Sequence, residues 1–79
     1  MPADYEAVRD SIYKDLVEKG WNKGKALKEA KKRAVIWWHK KHPGEKFTHS
    51  DASGFTDEEI AAFQFEAYQQ LRGEDVDDN

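Results

Sequence analysis

Apolar positions recur at helical spacing in three stretches of the chain, and each stretch is bounded by residues that start or stop helices. Tyr5, Val8, Ile12 and Leu16 share one face at about 100° per residue, which predicts a first helix from Ala3 to Lys19. Gly20 follows, the residue type that tolerates a left-handed helix cap. Asn22 is placed to cap a second helix from Lys23 to Lys41, whose expected inward stripe is Leu27, Ala30, Ala34 and Trp38. Pro43-Gly44 stops it, because proline restricts the residue before it and has no N–H to donate.

A polar loop rich in Ser, Thr, Asp and Gly then runs to Phe55, with Phe47 as its expected anchor. Thr56 and Glu59 have capping-box spacing, and Phe55 with Ile60 fits the hydrophobic staple around it. The third helix continues through Phe63, Ala67 and Leu71 and is expected to end near Gly73, leaving Glu74 to Asn79 as a frayed acidic tail. No strand alternation or internal repeat interrupts this pattern. The expected fold is an all-α three-helix bundle, with residues 1–73 as one helical domain and 74–79 as the tail.

Length and composition narrow the function. Seventy-nine residues, 38% hydrophobic, can form one small core, and ten aromatic residues enlarge it. So short a chain is not expected to build a deep catalytic cleft as well, so the expectation is a protein that is not an enzyme. There is no cysteine, hence no disulfide, thiolate metal site or thiol nucleophile. No apolar run reaches the roughly 18 residues of a membrane span, and the opening residues lack a basic-then-apolar leader. A cytoplasmic protein without cofactor is expected.

The formal charge of −3 conceals a segregation. Residues 1–18 carry two basic and five acidic groups, residues 19–46 ten and two, and residues 47–79 one and nine, giving −3, +8 and −8. A basic middle helix between acidic ones can serve register within the fold, where each surface pair is worth little. It can equally present phosphate-binding or protein-binding surface.

Several residues miss the expected core. With Leu27 at the centre of the stripe, Ile36 falls on the opposite side of the second helix, among Lys25, Lys32, Arg33, His39 and Lys40. Trp37 and Trp38 diverge by about 100°, so Trp38 is the better core residue and Trp37 lies across a groove or in an interface. Phe65 lies about 140° from Ile60 on the third helix. The candidate partner-binding residues are therefore Lys25, Lys32, Arg33, Ile36, Trp37, His39, Lys40 and Phe65.

Chemistry-bearing motifs are few. His39, His42, His49 and Asp51 have spacings that can hold zinc, but neighbouring lysines oppose a cation, and solvated residues at a helix C-terminus are the expectation. Asp51 to Gly54 reads as a turn rather than a calcium loop. Ile12-Tyr13 followed by Trp21 resembles the opening of the ChaB family of small bacterial proteins, without its later spacing at Ala34 to Trp38. His42-Pro43-Gly44 after a basic aromatic helix is similar to the end of the first helix of an HMG box, whose second helix has no counterpart here. Neither resemblance carries a function over. The expected function is docking on another protein, as an adaptor or as a phage- or plasmid-type inhibitor of host machinery. Nucleic-acid binding through the basic helix is the alternative, and a homodimer is a further possibility.

Overall fold

The computed structural model describes residues 4–47 and 54–77, with side chains as far as Arg72. Among these residues the fold is all-α, with three helices and no strand: α1 (Tyr5–Glu18), α2 (Lys23–Lys41) and α3 (Asp57–Asp77). The chain divides into two compact units, residues 1–34 and 35–79.

The helix boundaries follow from short-range chemistry. Extended backbone at Asp4 places its carboxylate to accept the Ala7 N–H at 2.9 Å, satisfying a donor that the first turn of α1 leaves unpaired. At the other end Gly20 takes φ 98°. Its N–H donates to the Val17 carbonyl at 3.0 Å and that of Trp21 to Leu16 at 3.1 Å, the paired bonds of a Schellman cap. Asn22 Oδ1 accepts the N–H groups of Gly24 and Lys25 at the start of α2. The Thr56–Glu59 box is complete. Glu59 N–H donates to Thr56 Oγ1 at 3.2 Å, while Glu59 Oε1 accepts from both the N–H and the hydroxyl of Thr56. One boundary differs from expectation: α3 runs past Gly73 to Asp77, since glycine within a helix costs only about 1 kcal/mol relative to alanine.

In the first unit the buried apolar side chains are Tyr5 and Leu16 of α1 and Ala26, Ala30 and Ala34 of α2. The three alanines, four apart, form one stripe. Leu27, expected to lead that stripe, is instead 39% exposed. Val8 and Ile12 are half-buried.

The second unit begins with the last turns of α2, and burial there is much wider. Val35, Ile36, Trp38 and His39 are all buried, together with Phe47, Ile60 and Ala67. Counted at about 100° per residue, positions 34 to 39 bury an arc of roughly 200°. This overturns two expectations. Ile36 is core, 7% exposed, and His39 is sealed at 1%, so neither belongs to an outer contact face. A stripe rule assumes one inward side, and these turns are enclosed around more than half their circumference. Phe47 is buried as expected. Its ring meets Trp38 edge-on at 5.3 Å, and Phe55 meets Phe63 edge-on at 4.9 Å.

Candidate functional site

Three features can meet a ligand or partner, one in the first unit and two in the second. The first is a row of cations on α2. Lys25, Lys28 and Lys32 fall within an arc of about 60° opposite the alanine stripe. None has an acidic group within ion-pair distance among the described residues. Arg33 differs, since its Nε donates to Glu29 at 2.8 Å one turn earlier. Lys40 is half-buried. The ion pairs Arg9–Asp10, Lys19–Asp15 and His42–Glu45 also join residues no more than four apart. Among the described residues the lysine row of α2 is thus left unpaired.

The second feature is the outer face of α3. Phe65 is 64% exposed, more than either of the other exposed large apolar residues, Trp21 and Leu27. Within about 60° of it around the helix lie Glu58, Ala61, Ala62, Gln69 and Arg72, all exposed, and the half-buried Tyr68. Ala61 and Ala62, one turn before the ring, leave its N-terminal side open. In the first turn Glu58 lies on this face and Asp57 at its edge, about 80° from Phe65, so its N-terminal end is acidic. Trp37, by contrast, is half-buried.

The third feature is a cleft of about 170 Å³, lined by His39, Lys46, Phe47, Asp57, Ile60, Ala61 and Gln64. His39 contributes a buried wall. Neither ring nitrogen has a hydrogen-bond partner among the described residues, and Trp38 packs edge-on against it at 5.2 Å. Burial pushes the His39 pKa below the ordinary histidine value, because charging the ring would place an unpaired cation in the core. Gln64, which also lines the cleft, donates through Nε2 to the Tyr68 hydroxyl at 2.9 Å. That hydroxyl also accepts the Gly44 N–H at 2.7 Å. Gly44 has φ 79°, a conformation suited to glycine, so the turn after α2 is tied to α3 at this point.

The histidines do not assemble a metal site. His39 is sealed, while the His42 ring lies 4.5 Å from that of Trp38 and its Nδ1 is 3.1 Å from Glu45 Oε2. No group of three or more His, Cys, Asp or Glu among the described residues could hold a metal ion. His49 and the turn from Asp51 lie outside the described residues. No helix among the described residues is long and apolar enough to cross a membrane.

Of the candidate residues, the structure keeps Lys25, Lys32 and Phe65 exposed or partly so, ties Arg33 to Glu29, half-buries Trp37 and Lys40, and removes Ile36 and His39 to the interior. The cleft was not anticipated. Its only sequence signal is Gln64 four residues before Tyr68, a spacing that brings the two side chains together on a helix. Compared with known proteins, the chain matches no protein-family profile, no curated protein and no solved structure.

Proposed function

We propose that this protein is a docking module rather than an enzyme, and that it binds another protein through the outer face of α3. The observation that carries this reading is Phe65, 64% exposed beside two alanines that leave its N-terminal side unscreened. Single exposed apolar residues are ordinary on protein surfaces. A phenylalanine over a small-residue shelf has the shape of an interface anchor, and burying such a ring contributes roughly 1.5–3 kcal/mol. The acidic residues at the N-terminal end of the face favour a partner whose apolar pocket is rimmed by Lys or Arg. A module of this kind acts as an adaptor or an inhibitor by occupying its partner's surface.

A photo-crosslinking amino acid placed at position 65 tests this directly in the native cells. The reading expects one dominant protein adduct that is lost when Asp57 and Glu58 are changed to their amides. Absence of any protein adduct from position 65 would contradict it, and an adduct to a second copy would make the dock a self-association.

The unpaired row Lys25, Lys28 and Lys32 favours a second reading, nucleic-acid binding through α2. Three phosphate contacts predict a log–log salt slope of about −3 on duplex DNA. Replacing the three lysines with glutamine should remove that slope while leaving the position-65 adduct intact.

A further inference from the structure

We propose that the cleft of the second unit binds a small zwitterion of the α-amino-acid type, with its carboxylate towards Lys46, its ammonium group towards Asp57 and its side chain inside. Lys46 and Asp57 line the same cleft, yet they make no ion pair with each other or with any other described residue. A cation and an anion facing one cleft without touching leave a gap that a molecule carrying both charges can bridge with two charge-assisted hydrogen bonds.

The remaining walls suit such a ligand. Gln64 has its amide nitrogen committed to the Tyr68 hydroxyl, which leaves its carbonyl oxygen as an acceptor for an ammonium N–H. Phe47 and Ile60, both buried, supply apolar surface for a side chain. The volume of about 170 Å³ is enough for a branched aliphatic or single-ring group, since a cavity of about 150 Å³ accommodates benzene. His39 completes the wall. Its ring is buried and has no partner on either nitrogen among the described residues.

The site shares Asp57 and Ala61 with the edge of the docking face but does not depend on that reading, and it is tested without any partner. The intact ¹⁵N-labelled protein is titrated with L-leucine, with leucinamide, which lacks the carboxylate, and with 4-methylpentanoic acid, which lacks the ammonium group. The readout is the Gln64 side-chain amide and the Ile60 and Ala61 backbone amides. Leucine should give saturable shifts in the millimolar range, and each single-charge analogue should bind at least about tenfold more weakly. Lys46→Met should erase the preference for leucine over leucinamide alone, and Asp57→Asn the preference over 4-methylpentanoic acid alone. Both positions are exposed, so the variants should keep the fold, checked by the same spectra. Unsaturable shifts, equal binding of all three compounds, or selectivity unchanged in both variants would overturn the proposal.

Discussion

His39 makes stability depend on pH in a direction opposite to that of a paired histidine. Its folded pKa lies below the ordinary value because burial penalises the charged ring. In the unfolded chain the ring titrates near about 6.5. As pH falls through that value the unfolded state takes up a proton that the folded state refuses, so stability declines until the folded pKa is passed. Urea unfolding should therefore show a falling midpoint from about pH 7.5 to pH 5.5. His39→Phe, which keeps a ring among Trp38 and Phe47, should flatten that dependence; an unchanged slope would show that the imidazole titrates freely. Tyr68 offers a second test at this scale. Tyr68→Phe removes the acceptor shared by Gly44 N–H and Gln64 and should cost about 1 kcal/mol, measured as a lower urea midpoint. The burial of His39 was not legible in the sequence, where it looked like one more polar residue in a lysine-rich helix. Phe47, from the loop beyond α2, packs its ring 5.8 Å from that of His39, a long-range contact that helical periodicity does not show.

At the scale of elements the sequence was far more informative, because caps are local. Gly20, Asn22 and the Thr56–Glu59 box all act where the residue types place them. Thr56→Ala should destabilise the protein by about 1 kcal/mol through loss of the box. Faces were harder to read than ends. Leucine outweighs alanine on any hydropathy scale, so Leu27 drew the expected stripe of α2 towards itself, whereas the buried face is the alanine line through positions 26, 30 and 34. Small residues are buried there for their size, which periodicity weighted by hydrophobicity undercounts. Ala30→Leu should accordingly cost about 1–3 kcal/mol by overpacking, while Leu27→Ala should cost less than about 1 kcal/mol, both read by denaturant unfolding. The same bias misplaced Ile36, whose outward position was inferred from Leu27.

For the molecule as a whole, net charge proved less telling than the pairing of individual charges. The modest −3 combines a basic α2 whose lysine row makes no ion pair among the described residues with an α3 whose first turn is acidic. Unpaired charge of one sign on one element marks where a partner of the other sign gains most, through encounter rate as well as affinity. Phe65 was already visible in the sequence as a residue off the core stripe, and it stays exposed in the fold. The central claim is that this ring anchors a protein partner. Tagged wild-type protein and Phe65→Asp are therefore recovered from nuclease-treated native lysate and their bound proteins quantified by mass spectrometry. The substitution changes an exposed residue and should alter stability by no more than about 0.5 kcal/mol, checked by urea unfolding. The account predicts one abundant partner that falls at least about tenfold with Phe65→Asp and persists when Lys25, Lys28 and Lys32 are changed to glutamine. Equal recovery with folded Phe65→Asp, or loss only with the lysine variant, would contradict it.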